Sequence, residues 1–109
     1  MDINTAKKII DADLTDDEVL VLLNRAKKLA KNHYFWHPKD NPSEEELEAF
    51  YDRYEYEIYD IASEMHSVLA REGLKQFTEL GVTRVWSYGG FDSVTAVINA
   101  TIIPKTYTL

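Results

Sequence analysis

Apolar residues recur at three- and four-residue intervals over two long stretches of the chain, and lose that rhythm in its last third. The first series is Val19, Leu22, Leu23, Ala26, Leu29 and Ala30, with Arg25, Lys27, Lys28 and Lys31 on the outer and C-terminal side. That is the pattern of an amphipathic helix. Thr15 and Glu18 form a Thr-x-x-Glu capping box, and Leu14 and Val19 stand where a hydrophobic staple clamps the first turn. The spacing predicts a helix from Thr15 to about Asn32, roughly 27 Å long. A second series, Leu47, Phe50, Tyr51, Tyr54, Ile58, Ile61, Ala62, Met65 and Leu69, follows another capping box, Ser43 with Glu46. With Gly73 placed to end it, this helix runs from Ser43 to Glu72, roughly 45 Å. His33–Pro42 is left as the connecting loop, so the two helices are expected to pack as an antiparallel hairpin.

The second helix outruns the first, and something must cover its far end. One candidate is a short N-terminal helix over Thr5–Asp11 with Ile3, Ala6 and Ile10 inward; the other is the C-terminal third. There, Leu74–Leu80 and Val82–Ser87 flank Gly81 with rough apolar–polar alternation, which predicts a β-hairpin. Tyr88–Asp92 is a glycine-rich turn, and Ser93 is placed to cap a short helix through Thr101, with Val94, Val97 and Ile98 on one face. Pro104 marks a stop, and Ile102–Leu109 remains as an extended tail. The expected fold is therefore mainly α and a single domain over residues 1–109. It is helical to residue 73, with the β-hairpin, short helix and tail over 74–109.

Length and composition agree with one domain: 109 residues with 45% hydrophobic and 12% aromatic side chains can build a core. The longest aliphatic run, Val19–Leu23, is far short of the ~20 apolar residues of a bilayer span. Met1-Asp2-Ile3-Asn4 lacks the basic and apolar regions of a signal peptide. With no cysteine there is neither a disulfide nor a thiolate metal site, and an intracellular origin is expected. Charge alters the picture more. Residues 1–32 carry six acidic and six basic side chains, whereas residues 33–72 carry eleven acidic and three basic, a net −8 that the remaining residues bring to −7. Such a chain is a poor general binder of nucleic acid, because phosphate contacts supply most non-specific affinity.

Few constellations point to chemistry. His33 and His37 sit four apart, as two zinc ligands on one helix face do, but Pro38 keeps His37 out of a helix and no third ligand is indicated. Asp11-Ala12-Asp13 opens like a calcium loop, yet positions six and twelve are Asp16 and Leu22 instead of glycine and glutamate. No phosphate-cradling glycine loop and no nucleophile elbow occur. Carboxylate pairs mean little in so acidic a chain, and a slim helical hairpin offers no ready pocket. Neither an enzyme nor a metal or other cofactor is expected.

Two surfaces stand out instead. Opposite the core stripe of the second helix stand Ala49, Tyr56, Ser63, Ser67 and Ala70, small and mostly uncharged, where a helix facing water alone would carry Lys and Glu. Small residues allow close approach of another backbone and tyrosine is favoured at interfaces, so this face packs either on another part of the chain or on a neighbouring subunit. The tail is the second surface: Ile102, Ile103, Lys105, Tyr107 and Leu109 could add to the sheet edge or groove of a neighbour. Alternatively the tail pairs back on Val82–Ser87.

Ile3-Asn4-Thr5-Ala6-Lys7 followed by Leu14-Thr15-Asp16-Asp17-Glu18-Val19-Leu20 and Ala26 resembles the opening of the small head–tail connector proteins of long-tailed bacteriophages. Tyr54-Glu55-Tyr56 with Ile61-Ala62, Gly73 after a long helix, Gly81-Val82-Thr83-Arg84 and a closing Ile103-Pro104-Lys105 are similar to that family in order and approximate separation. The likeness spans nearly the whole chain. It departs where related members carry a second glycine and a polar run; here Leu74, Phe77 and Leu80 are apolar. The resemblance implies a virion structural role at the head–tail junction, in a protein made in the bacterial host cytoplasm. It implies a homo-oligomeric ring, dodecameric when assembled, that sits under the portal protein, extends the DNA channel and receives the next head-completion or tail component. DNA passes through without sequence-specific binding, and no membrane is involved.

Two other roles fit the residues. A small helical regulator of phage or host origin that binds another protein could use the same hairpin. A nucleic-acid binder could use Arg25, Lys27, Lys28 and Lys31, although that run also matches a solvated helix C-terminal face.

Overall fold

The computed structural model describes residues 1–71 and 92–106, and these are mainly helical. Among them are five helices: α1 (Ile3–Ile10), α2 (Asp16–Tyr34), α3 (Glu44–Arg53), α4 (Glu55–Arg71) and α5 (Asp92–Thr101). The expected β-hairpin at 74–87, the Gly73 cap, the 88–91 turn and the last tail residues Tyr107–Leu109 lie outside the described residues.

Both capping boxes form. Thr15 Oγ1 accepts from the Glu18 N–H at 3.2 Å while the Glu18 carboxylate accepts from the Thr15 N–H at 3.0 Å. Ser43 and Glu46 repeat the exchange ahead of α3. The α1 helix starts earlier than the spacing predicts, at Ile3, because the Asp2 carboxylate accepts from the Asn4 N–H at 3.0 Å and the Thr5 hydroxyl at 2.8 Å. Likewise α2 runs on through His33 and Tyr34, shortening the loop. Helix α5 begins at Asp92, which puts Ser93 inside the first turn and not at the cap.

The expected single helix over 43–72 is in fact two. Tyr54, at φ −107° and ψ 25°, leaves helical geometry and separates α3 from α4. Hydrogen bonds from Tyr54 N–H to Phe50 and from Ile58 N–H to Tyr54 close the turns on either side. No proline or glycine marks the break. Instead the Tyr54 ring is buried beside Tyr34, 5.8 Å between centroids, and Phe50, 5.2 Å. We attribute the break to this packing, which outweighs the small propensity difference between ordinary helix residues.

Helix α4 is the centre of the fold. The end of α2 meets the α3–α4 break through Tyr34, and α2 lies along α4 from there, so the two are antiparallel. Asp2 at the start of α1 meets Tyr59, and Asp11 just beyond its end meets His66, so α1 runs beside α4 in the same direction. The α5 helix packs on α4 as well. The shared core includes Val19, Leu22, Leu23, Ala26, Ile58, Ile61, Met65, Leu69, Val94 and Ile98, as the apolar spacing predicts. Ala6 of α1 is buried with Ile3 and Ile10 packed at its edge, so the N-terminal helix does cover part of the second helical segment.

Tyr59 carries a polar tie through that core. Its ring is fully buried; its hydroxyl donates to Glu55 Oε1 at 2.7 Å and accepts from the Asp2 N–H at 3.2 Å. Burial, then the Glu55 carboxylate, push the phenol up to about 12. A phenol raised in the folded state stabilises fully below its unfolded value of about 10, and that contribution is lost as pH rises toward the folded value. Tyr59→Phe should therefore cost roughly 1–2 kcal/mol at neutral pH through the lost hydrogen bonds. It should also flatten the fall in stability between about pH 10 and 12, read as urea midpoints against pH for both proteins. Equal alkaline slopes would mean that Tyr59 does not titrate with unfolding.

Candidate functional site

Exposure on α4 follows from its geometry. At 100° per residue, the buried residues from Val68 through Ile58 to Tyr59 take up about half the circumference, and Tyr56, Asp60, Ser67 and Ala70 occupy the opposite side. Those four are exposed and Ser63 is half-buried. Tyr56 is 63% exposed and rests edge-on against Tyr59, 5.7 Å between ring centroids. Glu57 and Glu64, both half-buried, flank the row. Of the expected face, Ala49 is set apart. It is exposed on α3, beyond the break, and lines a cleft of about 260 Å³ with Tyr34, Phe35, Glu46, Phe50, Arg53 and Lys105. The continuous stripe foreseen for one helix is thus an α4 face, with Ala49 in separate surroundings.

The tail does something not anticipated. Ile102 is fully buried, its N–H donating to the Ile98 carbonyl at 2.9 Å as a last helical bond. His33 Nε2 reaches the Ile102 carbonyl at 3.1 Å; a carbonyl only accepts, so this nitrogen carries the proton. Lys105 N–H donates to the Tyr34 carbonyl at 3.0 Å, satisfying an acceptor that the end of α2 leaves open. The Trp36 indole N–H donates to the Lys105 carbonyl at 2.8 Å, and the Lys105 ammonium lies 3.4 Å from Asp40 and 5.4 Å from the Phe35 ring centre. Residues 102–106 therefore clasp the chain's own α2 terminus. Of the expected docking segment, Ile102 and Lys105 are committed inside the molecule and Ile103, 76% exposed, is the large apolar residue left outside. Tyr107 and Leu109 lie outside the described residues.

Several other titratable groups make hydrogen bonds within the fold. Asp2 and Asp11 are held below the ordinary carboxylate value, Asp2 by its bonds from Thr5 and Asn4, Asp11 by the Asp13 N–H and by His66. His37 Nδ1 accepts from the Lys39 N–H at 3.1 Å, whereas His33 serves the tail. Among the described residues no three His, Asp or Glu side chains converge as metal ligands would. On α2, Lys27 lies over the Tyr51 ring at 5.1 Å, Arg25 and Lys31 are half-buried, and Lys28 is exposed. Spacing alone did not disclose Tyr59, Asp2 or Trp36. The one local sign was Glu55 four residues before Tyr59, the separation at which helix side chains meet.

No family model, curated protein or solved structure matches this chain. No helix among the described residues is long and apolar enough to cross a membrane.

The two isoleucines of the tail should separate sharply. Ile102→Ala should cost about 2–5 kcal/mol, and Ile103→Ala should stay within about 0.5 kcal/mol. Thermal unfolding of both variants checks this, and similar losses would put the clasp in error.

Proposed function

We propose that this chain is a virion structural protein of a long-tailed bacteriophage, a small head–tail connector. In this reading copies form a ring, dodecameric when assembled, beneath the portal protein at the head–tail junction. The ring extends the DNA channel and receives the next head-completion or tail component. It performs no catalysis and uses no cofactor, and DNA passes without sequence-specific contact. The protein is made in the bacterial host cytoplasm.

The observation that carries the reading is the outward face of α4. Among the described residues, the helix on which the others pack exposes Tyr56, Ser67 and Ala70 with half-buried Ser63 beside them, a surface suited to a neighbouring subunit. The connector-like residues at Leu14–Leu20, Tyr54–Tyr56 and Ile103–Lys105 agree with it. So does the acidic surplus of residues 33–72, which suits a channel that must not grip phosphate.

Mixing the purified chain with a portal protein from the same genome should yield a complex whose added mass is about twelve times 12.6 kDa. Light scattering and electron microscopy of the complex check this. Tyr56→Glu, which buries an unpaired charge in the contact at a cost of several kcal/mol, should abolish the ring while circular dichroism stays helical. A chain that remains monomeric or dimeric and ignores the portal protein would fit the helical regulator instead.

A further inference from the structure

We infer that the cleft between the end of α2 and α3 docks a peptide segment of a partner protein, which places one large apolar side chain in the cleft and a neighbouring carboxylate on Arg53. The inference goes beyond the connector reading and does not depend on it.

The cleft is lined chiefly by rings. Tyr34 and Phe35 come from the end of α2, and Phe50 and Tyr54 from α3 and the break behind it. These rings hold one another in place: Phe50 lies 4.8 Å from Tyr34 and 5.4 Å from Phe35, between centroids. The lining is therefore formed before any ligand arrives, which spares the cost of ordering it on binding. Ala49, exposed on α3, adds only a methyl group to it. At about 260 Å³ the cleft is smaller than the ~300–1,000 Å³ of small-molecule pockets. One aromatic or aliphatic anchor, of the kind that fills pockets at the centre of protein interfaces, suits that size.

Charge selects what stands beside the anchor. Among the described residues, Glu46, Arg53 and Lys105 are the charged groups lining the cleft. The Glu46 carboxylate accepts from the Ser43 N–H at 3.4 Å, and the Lys105 ammonium lies 3.4 Å from Asp40. Arg53 is exposed, with its guanidinium 5.2 Å from the Tyr54 ring centre, and among the described residues no carboxylate forms an ion pair with it. A guanidinium laid on a ring keeps its in-plane N–H donors, and their fork matches a carboxylate. The other acidic residues of α3 are turned away. At 100° per residue, Glu45, Glu48 and Asp52 stand about 140–160° from Phe50 around the helix, whereas Arg53 stands about 60° from it. Glu46 is on the cleft side, but seven residues, roughly 10 Å of helix, separate it from Arg53. A cationic occupant is disfavoured, because Arg53 already covers the Tyr54 ring and Lys105 the Phe35 ring, 5.4 Å from its centre. An incoming cation would meet two like charges there.

NMR titration of the isotope-labelled chain with blocked peptides tests this. Glu-Phe-Glu should give saturable shifts centred on the amides of Phe35, Ala49, Phe50 and Arg53. Lys-Phe-Lys and Glu-Ala-Glu, which lack the charge and the anchor in turn, should bind at least tenfold more weakly. Ala49→Leu fills the cleft from an exposed helix position that leucine suits, so it should abolish the shifts with unchanged circular dichroism. Arg53→Gln should remove the preference for Glu-Phe-Glu over Lys-Phe-Lys. No saturable shift at millimolar peptide, shifts centred on another surface, or Lys-Phe-Lys binding as tightly as Glu-Phe-Glu would each overturn the site. If the same amides shift when the chain alone is concentrated, the occupant is a second copy and the partner peptide falls.

Discussion

The breadth of the apolar arc on α4 is the constraint from which the rest of the structure follows. Ile58, Tyr59, Ile61, Ala62, Met65, Val68 and Leu69 are all buried, and at 100° per residue they cover about half the helix. A single partner helix hides a narrower stripe than that, so α1, α2 and α5 must all pack on α4. Each large side chain enclosed this way is stabilised by about 1.5–3 kcal/mol. Of these α4 residues, Tyr59 carries a side-chain hydroxyl, and leaving it unsatisfied would forfeit much of that gain. Its bonds to Glu55 and to the Asp2 backbone therefore fix where α1 begins. The remaining half of the α4 surface includes the face proposed to meet a neighbour.

The end of α2 is held by backbone hydrogen bonds as well as by apolar packing. Helix α2 ends at Tyr34 with open carbonyls, and water or a polar group must satisfy them. Lys105 N–H fills one, while His33 and Trp36 bind the carbonyls of Ile102 and Lys105. Tyr34 also stacks on Phe50, 4.8 Å between centroids, next to the α3–α4 break. The tail clasp, the end of α2 and the break at Tyr54 thus share one set of aromatic neighbours, and loosening any one exposes the other two.

This division explains what could be read from residues alone. Helices α2 and α3 announce themselves because capping boxes and three-to-four spacing are local signals, and both boxes form as expected. The outward row on α4 was legible for the same reason, since a helix wheel needs no tertiary information. The break at Tyr54 was not, because its surroundings are rings brought from Tyr34 and Phe50 and not a proline or glycine in the chain. The clasp was hidden by distance: Trp36 and Lys105 are 69 residues apart. Ile102 left a trace that Pro104 obscured, for Val94, Ile98 and Ile102 recur every fourth residue as one buried row.

The same distribution of burial bears on how strongly copies could hold one another. Nearly all the large apolar side chains of α2 and α4 are already enclosed, so each outward face retains a single one, Leu20 or Tyr56. Stable interfaces depend on a few well-packed anchors in a dehydrated centre, with charges at the rim adding orientation and rate more than affinity. A contact that draws on so few exposed anchors is therefore weak, and the chain's net charge of −7 opposes it further at long range. Closure changes that balance. In a closed ring every copy makes the contact twice, and each later contact forms at the high effective concentration set by those before it. A template that aligns the first few copies lowers the cost of starting. Weak pairwise contacts with a strong closed state are what a protein needs if it is to stay dispersed in the cell and assemble only on a platform that presents the right symmetry.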